Sequence, residues 1–595
     1  MIAEVHLGYV DYAILAALFI FSLLIGLYFA WIDRKKDTDE FLMAGKSMSA
    51  LPVMMSLVAS FLSSITVLGW PSEVYYKGIG IWVTVFVCFL EVTFTAELVL
   101  PIFYRLNLTS VNKYLKERFG SKLLQIIVSI VTCISMFPWL GVALYGPSLA
   151  LGAVTGLSVT SSVLLCGIIC TVYTAIGGLK AVIWTDVMQY LLMILGIVVV
   201  IVKGVWDVGS LSEVWHRAEL GGRTRVFDTH FDPYNSYNQW TLVLGTLCVW
   251  TGGLSTSQIM IQRTLSMKSL REAKKVVYLA LPGFQTMNFL VTLMGLVTFA
   301  YFFKCDPLKL QKIEATDQIV PYFVATIFGD KFPGMLGLFI ACVFSSTLST
   351  LSSAFNAIAA LVWDDVLRKF FPKSSTWVQV TITKLIAAIA GIICIGVAFM
   401  AAKAGTLLEA SYSLSGSPLG PTFGVFILGM FLPFANSNGA LTGYFMGQIT
   451  CIWVVMGGIL STRPKRELQV SMEACPANLT TFAMLNSSLP FDQLYNYYPP
   501  SYEPIGWNRI YHISHFLIPF VGLMVTLVVG VIVSILTGGN KKRCVNPDLL
   551  VPWVQKWCHV PDHRVVRNGN EKSKNLWNKK HENSPLDPNF YHEMS

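Results

Sequence analysis

Uncharged apolar runs of about 20 residues recur along the chain, separated by shorter polar stretches, and this spacing predicts helices. A helix of that length crosses the ~30 Å hydrocarbon layer of a bilayer, and it bonds its own backbone, as lipid requires. The pattern places about thirteen spans, at 8–31, 50–76, 79–104, 123–150, 157–178, 182–203, 239–260, 276–303, 333–361, 379–402, 408–432, 437–460 and 511–537. Barrel strands would be shorter and would alternate strictly. The expected fold class is an all-α integral membrane protein. The first span follows Glu4 and His6 with no basic leader, so it is expected to stay attached as a transmembrane helix.

Composition agrees with this reading. Of 595 residues, 54% are hydrophobic and 13% are charged, where a soluble domain has about 25% charged residues. Mean hydropathy is +0.60. The basic residues then set the orientation. Arg34 to Lys36, Arg105 to Lys122, Lys180, Arg263 to Lys275, Arg368 to Lys373 and Lys541 to Arg543 cluster on one side, which the positive-inside rule makes the cytoplasm. The opposite loop, 461–510, carries glycosylation sequons at Asn478 and Asn486, as an extracellular segment can. A multi-pass protein of the plasma membrane follows, its N-terminus extracellular and its C-terminus cytoplasmic. The net charge of +9 is then a matter of topology, and nucleic acid is not an expected partner. The transmembrane domain is expected over 1–537, and 538–595, polar and rich in Asn, Lys and His, as a flexible cytoplasmic tail.

Most of the twelve cysteines fall within spans, where they act as small apolar residues. Cys305 and Cys475 fall in loops facing outside, where oxidation is permitted; whether they pair is left open by the sequence. Cys544 and Cys558 in the tail are expected to be reduced. There is no phosphate-cradling Gly-x-x-x-x-Gly-Lys motif, which argues against ATP-driven pumping. The intramembrane ionisable residues Glu91, Glu97, Lys384 and Glu409 form no recognisable catalytic set. No enzyme, metal centre or organic cofactor is expected, and uphill transport would draw on an ion gradient.

Two spans carry unusual polarity. Residues 54–71 contain five hydroxyl residues, then Gly69 and Pro71, and seven of the thirteen residues 341–353 are Ser or Thr. Such hydroxyls can bond back to their own helix or let helices approach closely. They can also serve chemistry: a helix interrupted by Gly and Pro exposes carbonyls near mid-membrane. Those carbonyls, with Ser349 and Thr350, would make a hard-oxygen site for a small cation such as sodium.

The motifs Asp39–Lys46, Leu68–Tyr75, Phe103–Leu106, Gly177–Asp186, Ser257–Arg263, Asp317–Tyr322, Thr347–Thr350 and Ala435–Ala440 occur in this order. Together they resemble the sodium/solute symporter family, on the branch of the monocarboxylate, multivitamin and iodide transporters. The resemblance runs from about Asp11 to about residue 535. It implies a LeuT-like core of five helices and five more in inverted repeat, over 50–203 and 239–432, with extra helices at both ends. It further implies sodium held by the carbonyls of Ala59, Leu62 and Ser346 and the side chains of Ser349 and Thr350. Asp186 matches an acidic position linked to sodium passage. Thr66, Trp70, Tyr145, Trp250 and Ser417 become the substrate candidates. The implied function is sodium-coupled import of a small organic anion, a monocarboxylate such as lactate, pyruvate or nicotinate. Biotin, pantothenate or iodide are alternatives, and a passive uniporter or a non-transporting nutrient sensor are readings of another class. The chain departs from the branch at Phe137–Gly141, Gly152–Ala153 and Ser417–Gly420, all on helices expected near the substrate.

Overall fold

A computed structural model describes residues 7–32, 48–155, 158–176, 179–371, 374–401, 406–461, 466–475, 502–540 and 545–557. Every regular element among them is helical. The chain divides into two compact units, 1–551 and 552–595, and the second contributes one described helix, Pro552–Trp557.

In the first unit the principal helices are α1 Tyr9–Ile32, α2 Ala50–Phe61, α3 Ile65–Lys77, α4 Ile79–Leu106, α5 Lys113–Phe119, α6 Lys122–Thr155, α7 Val159–Ile176, α8 Leu179–Val208 and α9 Leu211–Leu220. They continue with α10 Gln239–Ser255, α11 Gln258–Leu265, α12 Leu270–Tyr301, α13 Ile319–Phe328, α14 Met335–Leu367, α15 Thr376–Ala401, α16 Leu407–Phe431, α17 Ser437–Leu460 and α18 Leu517–Leu536. Ten are long and apolar enough to cross a membrane, or eleven with α2 and α3 counted as one bent span. The expected thirteen are therefore not all reached by that measure. The expected spans 157–178 and 239–260 are the short ones: the first is α7, and the second is split into α10 and α11.

The break between α2 and α3 bends the chain by 63°, and its position corrects the sequence expectation. Gly69 and Pro71 do not make it; residues 62–64 do. Leu62 is extended at φ −99°, ψ 100°. Ser63 restarts the helix, its Oγ accepting the Ile65 N–H at 3.2 Å and its carbonyl accepting the Thr66 N–H at 2.9 Å. Pro71 instead sits in the first turn of Trp70–Lys77, where a missing N–H is tolerated. A π-helical turn, Ile65–Gly69, lets the Trp70 N–H reach back to the Ile65 carbonyl.

Helix α6 explains how this break is seated. It contains Pro138 and Pro147. Pro147 has no N–H for the Ala143 carbonyl four residues earlier. That carbonyl accepts the Ser64 hydroxyl at 2.6 Å and the Thr347 hydroxyl at 3.0 Å instead. Gly146 makes the approach feasible, because a Cβ there would lie 2.4 Å from Ser64 Oγ. One proline and one glycine on α6 thus bring the break against α14, the most deeply buried span.

The face at which α1 begins, expected from sequence to be extracellular, is termed outer. Here Cys305 and Cys475 form a disulfide. The segment 466–475 is strapped down further by Leu468 N–H on the Tyr76 carbonyl at 2.8 Å and Asp306 N–H on the Ser471 carbonyl at 3.1 Å. Buried Arg223 bridges the same parts, donating to the Tyr75 carbonyl at 3.1 Å and the Gln469 carbonyl at 2.7 Å. Asn478 and Asn486 lie outside the described residues, as do Cys544 and Cys558. On the inner face, residues expected in the tail include the turn Pro547–Leu549. The Leu549 carbonyl accepts the Tyr114 hydroxyl at 2.9 Å, and Leu549 and Leu550 are buried.

Candidate functional site

The last four carbonyls of a helix lack partners within it. At the end of α2, the Val58 carbonyl takes the Leu62 N–H. The next two are served from α14. Ser349 Oγ donates to the Ala59 carbonyl at 2.9 Å and Thr350 Oγ1 to the Ser60 carbonyl at 3.2 Å. Both hydroxyls also lie 3.1 Å from the Ser346 carbonyl on their own helix. Ala59, Ser346, Ser349 and Thr350 are thus brought together, with Leu62 buried at the break itself. A hydroxyl proton rotates to suit its surroundings. If both protons turn away from α2, two hydroxyl oxygens, the Ser346 carbonyl beside them and the freed carbonyls of α2 face one another. That is a neutral, all-oxygen arrangement fit for a small desolvated cation.

One turn toward the inner face lies a second cluster. Arg263 and Asp186 form an ion pair at 2.9 Å with both side chains fully buried. This corrects the assignment of Arg263 to an inner loop, since it lies on α11 and turns into the core. Its guanidinium also donates to Ser56 Oγ at 2.9 Å, Ser60 Oγ at 2.6 Å and Ser353 Oγ at 2.6 Å. Ser56 Oγ in turn donates to Asp186 at 2.6 Å. Four helices, α2, α8, α11 and α14, meet at this one charge pair. Ser60 belongs to both clusters, its carbonyl to the first and its hydroxyl to the second.

Beside the break is a cavity of about 150 Å³ between α2, α6, α10, α11 and α16. Phe61, Trp139, Trp250, Tyr412 and Leu419 are on its wall. Trp250 Nε1 donates to the Tyr412 hydroxyl at 2.7 Å, which fixes two of these rings. Trp139 and Leu419 belong to two of the stretches that depart from the branch pattern. Of the substrate candidates, Trp250 lines this cavity. The others sit elsewhere. Trp70 Nε1 donates to Thr292 Oγ1 at 2.9 Å, Ser417 Oγ bonds the Ser413 carbonyl of its own helix, Thr66 is buried in the π-helical turn, and Tyr145 lies on α6 beyond the break.

The outer end above the break is tied shut around Glu73 of α3. Its carboxylate pairs with Lys77 at 2.6 Å and accepts the Tyr237 hydroxyl at 2.5 Å and the Thr406 hydroxyl at 2.8 Å. Thr406 caps α16, and Asp317 accepts the Leu407 N–H at 2.8 Å. The loop after α12, the loop before α10 and the start of α16 thus converge on α3. Burial pushes the Asp317 carboxyl up to about 7, and the Leu407 N–H opposes the shift.

Sequence reasoning missed Ser56, Ser60 and Ser353 and the role of Arg263. A signal was available: Ser56 and Ser60, like Ser349 and Ser353, are four apart and share one helix face. Phe61, Trp139, Tyr412 and Ser415 were also missed, because a cavity wall drawn from five helices has no linear signature.

Residues 41–447 match the profile of the Sodium:solute symporter family. Sodium-coupled monocarboxylate transporter 1 of Homo sapiens is 37% identical over 539 residues, covering 90% of this chain and 88% of that one. The sodium-dependent multivitamin transporter of Oryctolagus cuniculus is 38% identical over 555 residues, covering 92% and 85%. Among solved structures, a Na+-coupled sialic acid symporter in a substrate-bound outward-open state superposes with a TM-score of 0.70 at 23% identity, covering 90% of this chain and all of that one. That likeness shows a shared fold.

Proposed function

The chain belongs to the sodium:solute symporter family, and from that premise we propose that it imports a small organic monocarboxylate across the plasma membrane, coupled to sodium. The observation that carries the sodium assignment is the bonding of the Ala59 and Ser60 carbonyls by Ser349 and Thr350. Sodium entering between α2 and α14 replaces those two hydroxyl protons with its own charge, held by Ala59, Leu62, Ser346, Ser349 and Thr350. It thereby fixes the broken helix to α14 and favours the state that accepts substrate. The contacts of Glu73 and Asp317 make and break as the outer end closes and opens. Asp186, one turn inward, receives the departing sodium, and Arg263 holds the carboxylate when no ion is there.

The driving force is adequate. Each tenfold sodium gradient supplies about 1.4 kcal/mol, and each net charge moved inward about 2.3 kcal/mol per 100 mV. One sodium with one monovalent anion is electroneutral and draws on the first alone. The test is uptake of labelled lactate, pyruvate and nicotinate into cells bearing the chain, in sodium and in choline. A second reading, a vitamin carboxylate such as biotin or pantothenate, is favoured by the similar identity of the rabbit multivitamin relative, and the same assay includes both. The N-terminus is taken as extracellular, the loop 461–510 as glycosylated at Asn478 and Asn486, and 538–595 as the cytoplasmic tail.

A further inference from the structure

We propose that a second cavity, at the outer ends of α15, α16 and α17 and before α18, binds an amphipathic primary amine. The ammonium lies on Glu409, and the apolar body lies between α16 and α17. The site is separate from the cavity beside the break and does not depend on which anion is carried.

This cavity measures about 410 Å³, within the range of small-molecule sites. Small residues leave the space: Ala410 and Ser413 on α16 and Gly458 on α17. Val454, Val455 and Ile518 make the wall beside them apolar. One ring on the wall is fixed in place. Tyr511 packs so closely on α17 that a Cβ at Gly457 would lie 2.1 Å from its Cδ1. Apolar walls with a single charged group are the usual make-up of a site that orients an amphipathic ligand.

Glu409 brings a partly buried carboxylate to this wall, and it forms no ion pair among the described residues. Lys77, the cation at the outer end of α3, is taken by Glu73 at 2.6 Å. Glu409 is the third helical residue after the Thr406 cap, from which a glutamate can reach back to the cap N–H. Only the other half of that exchange forms, the Glu409 N–H on Thr406 Oγ1 at 3.2 Å. The imidazoles on the wall turn to hydroxyls. His512 meets Tyr502 at 2.7 Å and Ser461 at 2.8 Å, and His515 meets Ser236 at 3.5 Å. A carboxylate in such surroundings is costly until a cation pairs with it, and an ammonium does so through charge-assisted hydrogen bonds. Among the described residues the wall carries no Lys or Arg, so the phosphate of a lipid headgroup would find no partner, and a soluble amine fits better. Thr406 and Leu407 on the same turn of α16 bond Glu73 and Asp317. An occupant on Glu409 therefore sits on the turn that ties the outer end shut.

The experiment measures binding of labelled 2-phenylethylamine to the purified full chain in phosphatidylcholine nanodiscs at pH 7.5, where a primary amine is charged. Saturable binding is expected. The neutral analogue 2-phenylethanol should bind at least about 10-fold more weakly, the least that losing a hydrogen bond to a charged group costs. Glu409→Gln should raise the Kd by about 10-fold or more, and Glu409→Asp by less. Wild type with the two probes gives the answer even where a variant fails to fold. Added sodium should leave amine binding unchanged. Competition by sodium would put the ammonium in the oxygen cluster at Ser349 and Thr350 and overturn the proposal. Absence of saturable binding, equal affinity for amine and alcohol, or a Glu409→Gln variant that binds as wild type does would overturn it as well. Binding lost when phosphatidylethanolamine is added gives the site to a lipid ammonium and overturns the choice of a soluble amine. No transport is measured, so the symporter reading stands or falls separately.

Discussion

Ser349 on α14 donates its hydroxyl proton to the Ala59 carbonyl on α2 across 2.9 Å. The bond joins a carbonyl freed by a helix break to a side chain that has a second acceptor, the Ser346 carbonyl, 3.1 Å away on its own helix. When the proton turns aside, the Ala59 carbonyl is left free for a cation. Replacing Ser349 by Ala removes one cation ligand and keeps the carbonyl. Half-saturating sodium should rise about 10-fold or more, the equivalent of about 1.4 kcal/mol, with a smaller change in KM for the anion. Thr350→Ala should behave alike. Sodium activation curves of surface-expressed protein give the answer, and unchanged sodium dependence in both variants removes the site from Ser349 and Thr350.

Asp186 and Arg263 form a fully buried pair. Removing one partner strands the other's charge, at a cost of about 3–5 kcal/mol. Arg263→Met and Asp186→Leu should each sharply lower the melting temperature and the surface yield. The double variant should recover much of both, because an apolar pair of similar volume is often tolerated where a broken ion pair is not. Thermal melting in detergent compares the three, and a double variant as unstable as the sum of the singles contradicts pairing.

Asp317 gives a pH dependence on the outer face. Its carboxyl is raised by burial to about 7, above the ordinary value near 3.9. An unfolded chain then loses this proton before the folded one does. Through this residue, stability is intact below about pH 4, falls as pH rises from about 4 to about 7, and stays reduced above. Asp317→Asn keeps an acceptor for the Leu407 N–H and removes the charge. It should melt higher than wild type at pH 7.5, and the gap should narrow as pH falls and close below about pH 4. A variant that melts lower at pH 7.5 reverses the sign and contradicts the account.

The Cys305–Cys475 disulfide spans a sequence separation of 170. Cys305→Ser, Cys475→Ser and the double variant should lose similar stability, about 2–4 kcal/mol, and reductant should bring wild type to the same level. Melting with and without reductant tests this. Single variants that differ from the double would mean the two cysteines act separately.

The sequence carried the helices further than it carried the site. Apolar runs as long as a bilayer is thick are a local signal, and among the described residues ten of the expected spans reappear as long helices and an eleventh, 50–76, as the bent pair α2 and α3. The break at residues 62–64 was not local. Gly69 and Pro71 stand close to it in sequence, yet Pro71 fits the first turn of Trp70–Lys77, while Ser349 and Thr350 of α14 serve the freed carbonyls and Ser64 at the break bonds the Ala143 carbonyl, released by Pro147 far away in sequence. The hydroxyl run 345–353 was legible as chemistry because membrane helices seldom carry so many, and Ser349 and Thr350 follow from it. Arg263 was misread, because a lone Arg near a helix end counts as a loop charge until its partner on α8 is known. Thr66, Trp70, Tyr145 and Ser417 were chosen by position on helices expected near the substrate. Side-chain direction, set by three-dimensional packing, turns Trp70 to Thr292 and Ser417 to its own helix.

The most direct test of the central claim is sodium-dependent uptake by wild type alongside Ser349→Ala, measured for one labelled monocarboxylate in cells with equal surface protein. The account predicts uptake that disappears when choline replaces sodium, and a variant that regains much of it only at sodium concentrations about 10-fold higher. Uptake that persists unchanged in choline would contradict sodium coupling and the site built from Ala59, Ser346, Ser349 and Thr350.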